Sequence, residues 1–337
     1  MKRLERYIPF VIDNLIWFLL FSVFLFACLF TPRFLTQRNV INILEHSSVL
    51  GIMVIGQSLC LLSGNFDLSA ESTLGLTALL GAYLVTAAGA PAFGSGLLLP
   101  PFAALAIMFL VGLGVGWLNG FLITRLKMNN FIVTLAMLIV LRGLTMVLNE
   151  GKTISSINPS ILALGSAKIG VIPLSVWVML VSFALAYVLT RYIQFGRDLY
   201  AVGGNRDAAQ ASGVDADRRI RQVYMVSGLI AAFAGWMFLG RLGSGVASMG
   251  TGMIFEIQAA AVIGGISLFG GRGSIMGALG GVLLLSVISS VLALMQVSTF
   301  WYDTIRGLII LLAMLIDAQK VNFRKKDVIS AVSTRLA

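Results

Sequence analysis

RYIQFGRDLYAVGGNRDAAQASGVDADRRIRQV, residues 191–223, is a polar interruption in an oily chain. It carries Arg191, Arg197, Arg206, Arg218, Arg219 and Arg221 beside Asp198, Asp207, Asp215 and Asp217. Apolar segments at 171–190 and 223–242 flank it. Each has about the length of the roughly 20 residues that cross a ~30 Å hydrocarbon core at ~1.5 Å per residue. A membrane protein that keeps such a loop offers it to something in water. The loop therefore points to a fold class and poses the functional question.

Composition agrees with that class. The chain has 337 residues, 58% of them hydrophobic and 11% charged, with a mean hydropathy of +0.95. A soluble domain of this size has no means of hiding so much apolar surface. The expectation is an all-α polytopic membrane protein, one transmembrane domain over residues 1–337. A net charge of +10 raises nucleic acid as a partner. The basic residues, however, sit in short loops and at the ends, and no basic stripe alternates with aromatics. No nucleic-acid partner is expected.

Ten spans are predicted, at 12–30, 46–64, 69–90, 96–122, 130–149, 171–190, 223–242, 254–270, 275–295 and 302–317. With the N-terminus inside, 17 of the 24 basic residues face the cytoplasm. Five face out (Arg33, Arg38, Lys152, Lys168, Arg241) and two, Arg142 and Arg306, are embedded. That bias places both termini and the polar loop in the cytoplasm, because positive charge resists translocation. An eight-helix count stays open, since Pro100–Pro101 suits a helix start and the tenth segment holds Asp303 and Arg306. That pair, spaced i, i+3, is expected to neutralise itself locally. The N-terminal apolar run lacks a small-residue cleavage site and reads as an uncleaved first span. Cys28 and Cys60 have neither metal-ligand nor disulfide-framework spacing.

Motifs for chemistry are absent. Gly151-Lys152-Thr153 resembles the end of a phosphate-binding loop, but Met146 stands where that loop needs its first glycine. The single histidine, His46 at the outer end of the second span, suggests no Ser-His-Asp or Cys-His set. The expectation is no catalytic residue, no metal site and no cofactor bound by this chain. Within the polar loop, Gly203–Gly204 reads as a turn. A short helix follows from Asn205 to Ser212, capped by Asn205 and stopped at Gly213. Such a stub between two spans suits docking of a soluble partner, with Ala208, Ala209, Ser212 and Gly213 as its small surface and Arg206 and Asp207 as its charges.

Embedded polar residues are costly in lipid and face a cavity or a partner. Arg142 and Glu256 both fall in the outer halves of their spans and are expected to interact or to snorkel to the interface. Asp67, Ser69 and Glu71 stand at the inner end of the third span, where Asp67 or Ser69 would cap the helix or all three would gate an exit. Asn119, Phe131, Thr134 and Gly264–Gly265 are candidates for lining a pathway. Gly112, Gly116 and Gly120, and Gly273, Gly277 and Gly281, have the small-xxx-small spacing of close helix packing.

The stretch GGNRDAAQASGVDADRRIRQVYMVSGLIAAFAG, from Gly203, resembles the cytoplasmic signature of ABC importer permeases of the ribose-type monosaccharide branch. That branch shares a superfamily with branched-chain amino acid permeases. GNFDLSAEST at 64–73, NNFIVTLAMLIVLRGLT at 129–145, EIQAAAVIGGISLFGGRGSIMGALGG at 256–281 and IRGLIILLAMLIDA at 305–318 are similar in the same order, so the likeness covers the chain from about residue 45. Asn65-Phe66, Glu71 and Asn129-Asn130 depart from the family's usual residues. The resemblance implies an ABC transmembrane-domain fold whose loop at about 191–222 couples, through Gly203 to Gly213, to a separate ATPase that carries ATP and magnesium. The short basic tail, 318–337, adds no domain. The resemblance also implies a binding protein outside, a second permease copy, a bacterial cytoplasmic membrane and a ribose-like cargo. A nucleoside or amino acid permease is the alternative. A proton-coupled transporter using Glu256 or Glu71 is a further one.

Overall fold

The computed structural model describes residues 14–89 and 93–298, together with scattered positions from 301 to 311. Twelve helices occur among them. In chain order they are α1 (Leu15–Phe30), α2 (Gln37–Leu62), α3 (Ala70–Val85), α4 (Pro101–Arg125), α5 (Asn130–Asn149) and α6 (Pro159–Ser166). Then follow α7 (Leu174–Tyr192), α8 (Gln194–Gly204), α9 (Arg206–Ala211), α10 (Ala216–Leu242), α11 (Met253–Ile263) and α12 (Ile275–Leu294). A two-residue hairpin, β1 (Lys168–Ile169) on β2 (Ile172–Pro173), pairs antiparallel ahead of α7.

Local chemistry sets many of the boundaries. Pro100 is the N-cap of α4 and Pro101 its first residue, where a missing N–H costs nothing and φ is already helical. The Asn129 side chain accepts from Phe131 N and Ile132 N to start α5. Asp215 and Ser274 do the same for α10 and α12. Gly243, at φ +66°, ends α10.

Among the described residues, six helices are long and apolar enough to cross a membrane: α2, α4, α5, α7, α10 and α12. Two of the expected spans are shorter than drawn. The third (69–90) is α3, with 16 residues. The eighth (254–270) is α11, with 11. At ~1.5 Å per residue neither covers ~30 Å. Residues 63–69 and 264–274 leave the helix instead, and Asn65, Asp67 and Ser69 in the first of these are buried. Non-helical backbone at membrane depth persists only where protein covers it. The first expected span corresponds to α1, the expected Asp303–Arg306 pair lies outside the described residues, and so do both basic termini.

α2 is the axis of the bundle, with 83% of its apolar window buried, whereas α4 and α5 bury 22% of theirs and present Phe102, Leu110, Ile139 and Val147 outward. α10 packs on α2, α3 and most extensively on α4. In that last seam Gly112 lies on the Gly228 carbonyl, Gly116 on the Tyr224 carbonyl and Gly120 on Arg221, all too close for a Cβ. Lipid supplies no hydrophobic expulsion, so backbone contact of this kind holds the helices together. The second glycine stripe is shorter than expected. Gly277 and Gly281 of α12 pack on Gly264, just past α11, and on Ala260 within it, but Gly273, at φ +134°, belongs to the loop.

Candidate functional site

The polar loop folds into two helices rather than one. α9 matches expectation: the Asn205 side chain accepts from Ala208 N, and Gly213 takes φ +88° after it. Gly203–Gly204 is not a turn, because these glycines end the 11-residue α8. The reason lies beneath them. Gly203 presses on the Leu62 carbonyl, Gly64 N and Gly271 N, and Gly270 packs on Gly64. A Cβ at 203 has no room, so three chain segments meet there through backbone alone. Gly271 N also donates to the Leu62 carbonyl at 3.0 Å.

Two more bonds tie this end to the helix breaks. Tyr200 of α8 donates to the Gly273 carbonyl at 3.0 Å, and Tyr224 of α10 to the Phe66 carbonyl at 2.7 Å. Burial pushes the Tyr200 phenol above its ordinary pKa, so the hydroxyl keeps its proton at neutral pH.

Arg206, Asp207, Ala208, Ser212 and Gly213 are exposed on this surface, but Ala209 is buried against Val202, Ala216 and Ile220. Asp217 bridges Arg206 and Lys127, the latter at 2.7 Å, and Arg219 pairs with Asp198 at 2.7 Å. Several of the loop's arginines thus hold its own shape.

α10 serves as a ruler for the deeper layers. Ser227, eleven residues past Ala216, stands roughly 16 Å along it. There the Asp67 carboxylate accepts from Ser227 Oγ at 2.7 Å, from Ser69 Oγ at 2.6 Å and from Ser69 N at 3.1 Å. Asn119 Nδ2 donates to Ser69 Oγ at 2.9 Å, and Asn130 Nδ2 to Asn65 Oδ1 at 3.1 Å. The expected cap is absent: neither Asp67 nor Ser69 caps α3 with its side chain. They cross-link the helix break to α4 and α10 instead. These three donors to Asp67 are neutral. Asn119 Oδ1, Ser72 Oγ and both polar atoms of Gln57 are buried with no hydrogen-bond partner among the described residues.

The next layer overturns an expected pairing. Arg142 bonds Glu71 at 3.3 Å, not Glu256, and its other nitrogen donates to the carbonyls of Met249 at 2.8 Å and Ala247 at 3.3 Å. Glu71 Oε2 accepts from Ile254 N at 2.9 Å. The carboxylate therefore sits between a guanidinium and the N-terminal turn of α11, whose unpaired N–H groups favour negative charge. Glu256 faces His46 instead, at 3.9 Å. Residue counting along a continuous third span left Glu71 at the inner end. Because residues 63–69 are not helical, Glu71 reaches the depth of Arg142, roughly 18 Å along α5 from Asn130.

Of the other expected pathway residues, Thr134 is buried and returns its hydroxyl to the Asn130 carbonyl at 2.8 Å. Phe131 is exposed on the outside of α5. Gly264 is buried against Gly277 and Ala278, while Gly265, at φ +91°, is exposed in the loop after α11. Thr134 touches the Asp67 layer through Asn130. Asn65 and Asn130, which stood out in the sequence as departures from the family's usual residues, belong to it, and so do Ser227 and Tyr224, which went unread. Ser227 and Tyr224, three apart on one helix with Ala231 next, form a buried stripe that helical spacing alone reveals. No group of three metal-ligating side chains occurs among the described residues.

The chain matches the family described as branched-chain amino acid transport system / permease component over residues 39–314. The ribose import permease protein of Haemophilus influenzae is 32% identical over 312 residues, covering 91% of this chain and 94% of that one. Its Bacillus subtilis counterpart is 34% identical over 303 residues, covering 89% and 91%. The L-arabinose transport system permease protein of Escherichia coli K12 is 32% identical over 309 residues, covering 89% of each. No solved structure matches the chain significantly. With its membrane-crossing helices and this match across most of its length, the chain belongs to the branched-chain amino acid transport system permease family and is a multi-pass membrane permease.

Proposed function

We propose that this permease is the membrane subunit of an ATP-driven importer that moves a monosaccharide, ribose-like in size and polarity. The observation that carries this is the pair of sugar classes named in its relatives, ribose and L-arabinose, at 32–34% identity over most of both chains. In this reading the chain crosses a bacterial cytoplasmic membrane ten times, with both termini and the α8–α9 end inside. A separate ATPase docks on α9 and residues Gly203 to Gly213, a binding protein delivers the sugar outside, and a second permease copy completes the pore.

The geometry supports a transmission route. Movement of α8 passes through the Gly203 junction and Tyr200 to the breaks at 63–69 and 264–274. Those breaks carry Asp67, Ser69 and Gly265, and Asn119 joins them with hydroxyl-compatible donors and acceptors. Glu71 and Arg142 hold α3, α5 and the start of α11 in register above them. Thr134 acts as packing, and Phe131 enters the pathway only where a second copy meets α5.

The test is to purify the chain from cells that also make its ATPase and binding protein. An ATPase should co-isolate, and Gly213→Trp or Arg206→Glu should abolish the association while the permease still inserts. Uptake of ribose or arabinose in proteoliposomes should need ATP inside. Uptake driven by a proton gradient without ATPase would sink the reading. The family's description favours a second cargo, branched-chain amino acids, and leucine uptake in the same vesicles decides between them.

A further inference from the structure

The Glu256 layer continues into a cavity of about 200 Å³, formed by His46, Val49, Phe238, Arg241, Thr251, Gly252, Met253 and Glu256. It lies at the opposite end of the bundle from α8–α9. His46 is sixteen residues before Leu62, roughly 24 Å along α2. Arg241 is in the last turn of α10. We infer that this cavity is a binding station for a single-ring, uncharged polyhydroxy solute, met before the Asp67 layer. The inference rests on the sugar reading above and adds a place and a set of contacts to it.

Four features converge. The cavity brings both charge signs to one small space, the Glu256 carboxylate and the Arg241 guanidinium, with the His46 imidazole between them in character. Adjacent hydroxyls, each both donor and acceptor, match such a mixed lining. Phe238 adds an aromatic surface for the apolar face of a sugar ring. A second carboxylate, Glu45, lies within electrostatic reach of Arg241, so a phosphate or carboxylate ligand meets opposing negative charge and a neutral one does not. Size sets the last limit: at about 200 Å³ the space falls below the roughly 300–1,000 Å³ of drug-sized pockets, which suits one ring and not two. Glu256 stands in the first turn of α11, 3.9 Å from His46, so the contact group is carried on a helix before the solute arrives.

The test uses the assembled transporter in proteoliposomes. Thr251→Trp fills the cavity and Glu256→Gln removes its charge with little change of shape. Each should lower ribose and arabinose import roughly tenfold, equivalent to ~1.4 kcal/mol, while ATPase co-isolation is retained. The one cysteine left by Thr251→Cys with Cys28→Ala and Cys60→Ala should react with a maleimide more slowly in the presence of ribose or arabinose. Ribose 5-phosphate and disaccharides should give no protection. If wild-type vesicles import the sugars and both variants do so equally well, with no protection of the cysteine, the cavity is not a station and the inference falls alone. If the wild-type assembly imports neither sugar, the proposed function falls and the inference with it.

Discussion

Glu71 concentrates the electrostatics of the bundle at one side chain. It is 5% exposed and holds Arg142 with one oxygen and Ile254 N with the other. Removing one partner of such a pair strands the other in a medium that cannot solvate it. Arg142→Met alone should therefore cost about 3–5 kcal/mol, whereas replacing both as Glu71→Leu with Arg142→Met should be far milder. Thermal unfolding in detergent checks this, and equal losses in the single and double variants would refute the pair. Arg142 was legible in the sequence as an embedded charge. Its partner was not, because residue counts take the start of a span at 69 as the membrane surface, whereas α3 begins deeper, after the buried break at 63–69.

Glycine decides packing at the scale of elements. In α4, Gly116 touches the Tyr224 carbonyl while Gly114, two residues away, has open space around it. Gly116→Leu should destabilise by about 1–3 kcal/mol or more through forced separation of α4 and α10. Gly114→Leu should be close to neutral, and melting temperatures of the two variants make the comparison. Tyr200→Phe removes one bond from α8 to the Gly273 carbonyl, worth about 0.5–1.5 kcal/mol. It should lower transport per ATP hydrolysed more than it lowers stability, read from parallel uptake and ATPase rates. The 112/116/120 spacing announced its seam correctly. The 273/277/281 spacing misled at Gly273, since a four-residue period says nothing about where α12 begins. The third and eighth spans were drawn too long for a related reason: small apolar residues such as Gly264 and Gly265 score as membrane whether or not they are helical.

Across the whole molecule, the helices sort into an axis and a lipid-facing shell. α2 is enclosed, while α1, α4, α5 and α7 carry exposed Phe21, Leu110, Ile139 and Leu185. Trp117 and Trp177 are exposed on α4 and α7, whereas Trp236 is half-buried and donates to the Ile161 carbonyl at 2.6 Å. In single-tryptophan variants, brominated lipids should quench Trp117 and Trp177 strongly and Trp236 weakly. Strong quenching of Trp236 would contradict the placement of α10 inside the shell.

The sequence by itself determined that this chain crosses a membrane repeatedly, which stretch stays polar, and where α9 starts and stops. Those are properties of single segments: length, hydropathy, a capping Asn205 and a Gly213 at positive φ. Only the tertiary structure decided that Gly203 is the meeting point of three backbones, that Asp67 joins Ser227, and that Arg142 answers Glu71 rather than Glu256. Each of these depends on where two helices stop short of the bilayer's width. That depth is set by the packing of other helices around the break and leaves no local mark in the chain.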